Sequence, residues 1–264
     1  MFLSDDEIDE YHESGYLQFD SLFSGDEVQR LRQAFELDCE VPGPHRILDG
    51  RSDDIRAVYS SHTRRCEFAA LIRSPRLLNP VRQLLASDVY LHQLKINCSQ
   101  AFSRGSWVWH RKFPAWRRQM DHLDSPDLVS VGLFLGDVTE LNGSFTALPG
   151  SHRDGRLCDD RSMTITQMTG LVSRHGMASL QGAAGSVVFL HPELVHGSGP
   201  NVSPFRRDFL TATYNDIANA PRPPGRQWPD TARPTPLMPL AEASWGSPPR
   251  RLAPRRSSTE PTGA

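Results

Sequence analysis

The stretch GSVVFLHPELVHGSGPNVSPFRRDFLTATY, residues 185–214, decides the fold. It contains two short runs rich in β-branched and aromatic residues, Gly185–Leu190 (GSVVFL) and Asp208–Tyr214 (DFLTATY). Such runs favour β-strands, and the glycine, proline and asparagine residues between them favour turns. A histidine, His196, lies in the intervening turn, and Arg207 opens the second run. The stretch therefore predicts two strands with polar, potentially reactive side chains near their ends.

The β pattern continues towards the N-terminus with similar runs at Val89–Cys98, Leu128–Leu135 and Ser144–Leu148. The first part of the chain favours helices instead. Ser4 and Ser24 each begin an S-x-x-E capping box followed by apolar residues at spacings of three and four, which is typical of the start of an amphipathic helix.

Two more helices are predicted before the strands, at Cys66–Ile72 and at Pro80–Leu85, the latter with proline in its first turn. The Glu40–Arg65 segment is rich in proline, glycine and charged residues without a sustained period, so we expect a loop that covers a pocket. Strands behind a helical layer indicate a mainly β barrel or sandwich with helices packed outside it.

Composition limits the class of protein. The 264 residues are 38% hydrophobic with a net charge of -2, which suits one large domain and excludes a globally basic nucleic-acid-binding protein. No apolar run approaches the roughly 18 residues needed to cross a membrane, and the acidic opening MFLSDDEIDE is unlike a secretory signal. We therefore expect a cytoplasmic protein with a domain at residues 1–219. Residues 220–264 hold 11 of the 21 prolines, which predicts a disordered Pro/Arg-rich tail.

Three residues suggest metal and anion chemistry. His110 follows a short aromatic run (WVWH), and His196 follows GSVVFL. Imidazoles are preferred ligands of divalent iron, so two at the ends of neighbouring strands could supply two corners of a metal site. Arg207 could hold a carboxylate through its guanidinium fork. The alternatives from the residues alone are two structural histidines and a surface arginine beside Arg206.

Several ordered segments resemble the phytanoyl-CoA dioxygenase family of iron(II)/2-oxoglutarate oxygenases, which includes ectoine hydroxylase. The resemblance runs from about Ser4 to Asn215 and is carried by these segments: EYHESGYLQFDSLFSGDEVQRLR (10–32), HQLKIN (92–97), WH (109–110) followed by Trp116, PDLVSVGLFLGDVTELNGSFTALPGSH (126–152) and GSVVFLHPELVHGSGPNVSPFRR (185–207). It implies a double-stranded β-helix, the jelly-roll or cupin-like fold, with flanking helices. It also implies iron(II) as cofactor and 2-oxoglutarate as co-substrate.

The resemblance assigns roles to individual residues. His110 and His196 become metal ligands, and Arg207 clamps the distal carboxylate of 2-oxoglutarate. The residues placed at further co-substrate contacts are Asn97, Ser130 and Ser198. Gln93 and Trp116 are placed in the substrate pocket near the metal, although both could be ordinary strand or core residues.

One position departs from the family motif H-x-D, whose aspartate is the third iron ligand. This chain has His110-Arg111-Lys112, and an ammonium group cannot ligate a cation. Three explanations stay open. Lys112 could turn outward, with water, an anion, Asp121 or Asp124 completing the site. Its ammonium could instead pair with an anionic substrate or co-substrate, or iron chemistry could be lost altogether.

The sequence thus predicts an iron(II)/2-oxoglutarate-dependent dioxygenase that hydroxylates or otherwise oxidises a small metabolite, plausibly in natural-product biosynthesis. The alternative is a catalytically degenerate relative that binds a small ligand or partner. Four cations surround the expected pocket mouth, namely Arg111, Lys112, Arg117 and Arg118. They indicate either a solvated loop or recognition of an acidic or carrier-linked substrate. We expect no nucleic-acid or membrane partner.

Overall fold

The computed structural model describes residues 1–50, 52–103, 105–117, 121–155, 163–222 and 235–241. The helices are α1 (Asp5–Ser14), α2 (Gly25–Cys39), α3 (Cys66–Leu71), α4 (Pro75–Leu85), α5 (Phe113–Ala115) and α6 (Ile165–His175). The strands are β1 (Tyr16–Phe19), β2 (Arg46–Leu48), β3 (Ile55–Tyr59), β4 (Val89–Ser99), β5 (Trp107–His110), β6 (Leu128–Phe134), β7 (Phe145–Ala147), β8 (Ala178–Leu180), β9 (Val187–Leu190), β10 (His196–Ser198) and β11 (Arg207–Asp216).

The strands form two antiparallel sheets. The larger has the order β1-β9-β6-β11-β4-β3-β2, and the smaller has the order β5-β10-β7-β8. The strand at the centre of the larger sheet, β11, pairs with β6 on one side and β4 on the other, and its residues up to Asn215 are buried. Two sheets with helices outside them confirm the predicted jelly-roll class.

The N-terminal helices begin where the capping boxes predicted. The hydroxyls of Ser4 and Ser24 accept hydrogen bonds from the amides of Glu7 and Glu27, whose carboxylates reach back to the cap amides. The apolar face of α2, including fully buried Leu31, packs into the main core. These helices cover the outer face of the larger sheet and leave its other face to the smaller sheet.

Two predictions from the sequence are wrong in detail. The Glu40–Arg65 segment contains β2 and β3, and β3 pairs with β4, where Val58 is opposite Ile96. The helix α4 begins at Pro75 instead of Pro80, because Ser74 caps it and a proline is well tolerated at the first helical position.

Three elements of the smaller layer, α6, β8 and β10, were not predicted, and His196, which was predicted to lie in a turn, begins β10 because that strand pairs with β5 and β7. The three residues of β8 are too few to give an alternating pattern, and they form a strand by pairing with β7. Within the part of the chain that the structure describes, no helix combines the length and apolar character that crossing a bilayer requires.

Part of the predicted tail lies against the domain. The amide of Leu237 donates to the Val89 carbonyl (2.9 Å), the amide of Leu240 donates to the Arg73 carbonyl (3.0 Å), and the Arg73 side chain donates to Met238. The remainder of the predicted tail, residues 223–234 and 242–264, lies outside the described residues.

A close approach at Gly132 gives a stability prediction. A Cβ on this β6 residue would overlap the ring of Phe209 and lie 2.9 Å from Cγ1 of Val188. We expect Gly132→Ala to lower the free energy of unfolding by about 1–3 kcal/mol, the usual cost of overpacking a core. Urea denaturation measures the change. An unchanged midpoint would show that Phe209 moves aside freely.

Candidate active site

The site is a cavity of about 560 Å³ between the two sheets. Eight of the nine residues that the sequence singled out line it: Gln93, Asn97, His110, Lys112, Trp116, His196, Ser198 and Arg207. The ninth, Ser130, is buried just behind and hydrogen-bonds to Thr213 (2.9 Å). Nearly all of the residues that the sequence singled out as site candidates therefore line the same cavity.

The two histidines form a cross-strand pair. His196 on β10 is directly opposite His110 on β5, and their ring centroids are 4.4 Å apart. Each Nδ1 atom lies within hydrogen-bond distance of the carbonyl two residues earlier in its own chain segment, at 2.7 Å for Val108 and 2.8 Å for Leu194. This contact fixes Nδ1 as the protonated nitrogen and leaves both Nε2 lone pairs available to a metal.

The surroundings keep these imidazoles neutral. Burial lowers the pKa of His196 well below its ordinary value, and the neighbouring His110 and Lys112 act in the same direction. Burial also lowers the pKa of His110, with a smaller contribution from Lys112. The ring of Phe145 stacks on that of His196 at 4.7 Å. The pair is therefore fixed in the protonation state and orientation that metal ligation requires.

Arg207 and Asn97 present polar atoms that the described residues do not satisfy. The Nε atom of Arg207 and the Oδ1 atom of Asn97 are buried without a hydrogen-bond partner. Burial lowers the pKa of Arg207 to about 10, so its guanidinium stays charged at neutral pH. A buried charge without a partner is costly, and this arrangement therefore suits an anionic ligand.

Lys112 points into the cavity. Its Nζ atom is 3.5 Å from the hydroxyl of Ser130 and 6.0 Å from the centre of the Trp116 ring. The loop that carries it is anchored because the amides of Lys112 and Phe113 both donate to the carbonyl of Pro192 (3.1 Å). Burial lowers the pKa of Lys112 to about 7, and the charge of Lys95 adds to this effect. The hypothesis that Lys112 turns outward is wrong.

Neither proposed substitute carboxylate is at the cavity. Asp121 is fully buried, and its Oδ2 lies 3.2 Å from Nε2 of His92. Asp124 forms a surface ion pair with Arg222. Among the described residues no cluster of three or more histidine, cysteine, aspartate or glutamate side chains could hold a metal ion. The hypothesis that Asp121 or Asp124 completes the site is therefore wrong for this conformation.

Comparison with known proteins places this geometry in a family. The model of the phytanoyl-CoA dioxygenase family matches residues 11–209. The chain belongs to the phytanoyl-CoA dioxygenase family. It is 33% identical to an L-proline trans-4-hydroxylase of Streptomyces griseoviridis, with 82% of this chain and 88% of the relative covered. It is 31% identical to an ectoine dioxygenase of Bordetella bronchiseptica, with 84% and 78% covered.

Solved structures of this family agree. The EctD protein from S. alaskensis with 2-oxoglutarate and 5-hydroxyectoine superposes with a TM-score of 0.83 at 27% identity, covering 90% of this chain and 87% of that one. A second structure of the same protein holds iron, with a TM-score of 0.81 at 26% identity and the same coverage. The predicted family and the predicted class of enzyme, a dioxygenase, are confirmed, and the predicted cofactors agree with these structures.

In this member of the phytanoyl-CoA dioxygenase family, sequence reasoning missed several cavity residues. Arg56 and Tyr59 on β3 line the cavity, as does Lys95 on β4, whose Nζ lies 5.3 Å from the centre of the Tyr59 ring. Lys95 had a signal, because it lies between Gln93 and Asn97 at the alternating positions of one strand face. The β3 residues had a weaker signal, the strand-favouring Ile55, Val58 and Tyr59, within a segment that was predicted to be a loop.

The predicted cationic mouth is only partly present. Arg111 borders the cavity, but its guanidinium donates to the carbonyls of Gly155 (2.8 Å) and Ser151 (3.2 Å). Arg117 is exposed, and Arg118 lies outside the described residues. Lys112 is thus the member of this set whose charged group belongs to the cavity.

A second histidine cluster lies beyond the cavity and makes stability depend on pH. The rings of His152 and His191 are 4.7 Å apart, and the amide of Glu193 donates to Nδ1 of His191 (3.2 Å). Burial, followed by the charge of His152, lowers the pKa of His191 to about 3. Below about pH 6.5 the unfolded chain therefore takes up a proton that the folded chain does not, and stability falls as the pH falls.

We expect His191→Asn to reduce this acid sensitivity. Between pH 6.5 and 5.0 the single histidine accounts for a loss of about 2 kcal/mol in the free energy of unfolding. Denaturant unfolding at pH 7.5 and pH 5.0 measures the loss in both proteins. His62→Asn is the matched control. Equal losses in the natural chain and the His191 variant would contradict the assignment.

Proposed function

We propose that this chain is an iron(II)- and 2-oxoglutarate-dependent dioxygenase that hydroxylates, or otherwise oxidises, a small metabolite carrying an anionic group. The observation that carries the proposal is the geometry of His110 and His196. Their rings are adjacent and their Nδ1 atoms are engaged by backbone carbonyls. Two free Nε2 atoms facing one cavity are an arrangement that has little use other than metal binding.

The cavity fits 2-oxoglutarate well. Among the described residues, the buried Nε atom of Arg207 has no hydrogen-bond partner and the buried amide oxygen of Asn97 has no donor. A guanidinium binds a carboxylate through two parallel hydrogen bonds, which fixes position as well as charge. Ser198, which also lines the cavity, adds a hydroxyl that can donate to the same ligand.

The cavity fits iron only in part. His110 and His196 would hold the iron. No described residue of the cavity supplies a carboxylate as the third ligand, and Lys112 brings a basic group instead. Iron supplies the oxygen-activating chemistry, which amino-acid side chains do not provide. The residues of the chain bind and orient the co-substrate through Arg207, and the apolar walls exclude bulk water.

The anionic group on the substrate is inferred from the lining. Arg56, Lys95 and Lys112 all border the cavity, and no aspartate or glutamate is present among its described lining residues. An apolar groove of about 800 Å³, lined by α6 and the smaller sheet, shares Val108 and Ser198 with the cavity. A substrate attached to a carrier arm has room there. A role in natural-product biosynthesis stays a prediction.

The test is anaerobic addition of iron(II) and 2-oxoglutarate to the full chain. We expect the weak visible charge-transfer band of the metal chelate, followed by succinate formation when oxygen is admitted. His196→Ala should abolish the band, whereas His175→Ala, which changes a histidine paired with Asp154 outside the cavity, should preserve it. No band at saturating iron and 2-oxoglutarate would overturn the proposal.

Lys112 favours a second candidate function, the binding of a small ligand or partner without iron chemistry. Its ammonium group lies in the cavity, beside Ser130 and Trp116. A protein of this kind would bind an anionic ligand equally well with and without metal. It would form no succinate under any iron concentration, which distinguishes it from the dioxygenase.

A further inference from the structure

Basic side chains from four parts of the fold line the cavity. Arg56 comes from β3, Lys95 from β4, Arg207 from β11 and Lys112 from the loop after β5, and the lining residues that the structure describes include no carboxylate side chain. Like charges grouped in a cavity of low dielectric repel one another and raise the local concentration of anions. The cavity thus attracts anions whether or not a metal is bound.

The charged groups lie along one strand face. In the pairing of β4 with β11, Asn97 is opposite Phe209 and Lys95 is opposite Thr211. On this face, Asn97 and then Lys95 follow Arg207 in order towards the interior of the cavity. We call these three side chains the polar row. Arg207 and Thr211 are four residues apart, about 13 Å along the strand. Because side chains stand roughly perpendicular to a sheet, this spacing leaves room for a short dicarboxylate between the charged ends of the arginine and the lysine.

Lys112 lies near the Lys95 end of the polar row. Its Nζ atom is 3.5 Å from the hydroxyl of Ser130, and Ser130 is opposite Thr213, two residues beyond Thr211 on β11. Its backbone is held by Pro192 and its Nζ atom by the hydroxyl of Ser130, so the ammonium is placed by the fold rather than free to swing outward. The lysines Lys95 and Lys112 thus lie at one end of the polar row, and the guanidinium of Arg207 lies at the other.

We propose that this cavity binds a dicarboxylate of the size of 2-oxoglutarate without a metal ion, with Arg207 holding one carboxylate and Lys112, together with Lys95, holding the other. The inference rests on the proposed function for the choice of ligand but not for the metal. The ammonium group of lysine and the guanidinium group of arginine both bind carboxylates through charge-assisted hydrogen bonds. The lysine that cannot ligate iron therefore still has a use in the site.

The experiment is isothermal titration of the full chain with 2-oxoglutarate and with succinate, after its metal has been stripped with EDTA and the EDTA removed. Succinate has two carboxylates but lacks the keto group needed to chelate a metal. We expect both to bind, with dissociation constants within about tenfold of each other. Lys112→Met should weaken both by at least about tenfold, and Lys112→Arg, which keeps the charge, should retain most of the affinity.

The controls separate the possible outcomes. Arg153→Met removes an exposed cation outside the cavity and should leave both affinities unchanged. If the stripped chain binds neither ligand but binds 2-oxoglutarate once iron(II) is added, the inference fails and the proposed dioxygenase stands. If it binds neither ligand with or without iron, both fail. Unaltered binding in a folded Lys112→Met variant would remove Lys112 from the site and overturn the inference.

Discussion

Replacing Lys112 with aspartate is expected to tighten iron(II) binding by at least about two orders of magnitude. Two unit charges 4 Å apart interact by about 4 kcal/mol at an effective dielectric of 20, and each 1.4 kcal/mol is a factor of ten. Because the pKa of Lys112 is about 7, its ammonium carries a charge only in part at neutral pH, so most of the expected gain comes from the anionic ligand that the substitution adds to the cavity of His110 and His196. Anaerobic titration of iron(II) into the natural chain and the Lys112→Asp variant measures the difference.

A neutral variant separates the two contributions. Lys112→Asn removes the repulsion without restoring a carboxylate, so its affinity should fall between those of the natural chain and the aspartate variant. The dicarboxylate affinity of the metal-free chain should change in the opposite direction, because the aspartate repels a carboxylate. If the natural chain binds iron as tightly as Lys112→Asp, the repulsion is absent and a ligand outside the described residues completes the site.

The sequence predicted the catalytic strands well because their information is local. In β4 the buried and cavity-facing residues alternate, so the HQLKIN motif places Gln93 and Asn97 on one face without any knowledge of the partner strands. His110 and His196 each lie at one end of a short strand, and the antiparallel pairing of those strands then brings the rings together. Periodicity was sufficient for Gln93 and Asn97, whereas His196 was expected in a turn and only the family motif singled it out.

Long-range contacts determine what the sequence did not predict. The direction of Lys112 depends on two hydrogen bonds to the carbonyl of Pro192, about 80 residues further along the chain, and no local pattern encodes them. Arg56 belongs to the cavity because β3 pairs with the edge of β4. Asp121, offered from its place in the sequence as a metal ligand, instead pairs with His92, which is buried on β4.

Arg207→Met is expected to raise the apparent KM for 2-oxoglutarate about 100-fold and to leave the KM for the oxidised substrate nearly unchanged. Hydrogen bonds to a charged group contribute about 1.5–3 kcal/mol, and the loss of a bidentate pair reaches the upper part of that range. Succinate release at varied 2-oxoglutarate measures the first constant. Arg206→Gln is a matched control, because Arg206 pairs with Glu36 and Asp208 away from the cavity.

The same substitution should stabilise the chain when no ligand is present. Arg207 is 3% exposed, and its Nε lacks a partner among the described residues. An unsatisfied buried polar group lowers the free energy of unfolding by about 1–3 kcal/mol, and a charged one by more. Methionine fills much of the same volume without that cost. We therefore expect Arg207→Met to unfold at a higher denaturant concentration than the natural chain, and 2-oxoglutarate to stabilise the natural chain alone. A variant that is less stable and still responds to 2-oxoglutarate would show that Arg207 is an ordinary structural residue, and that another group holds the carboxylate.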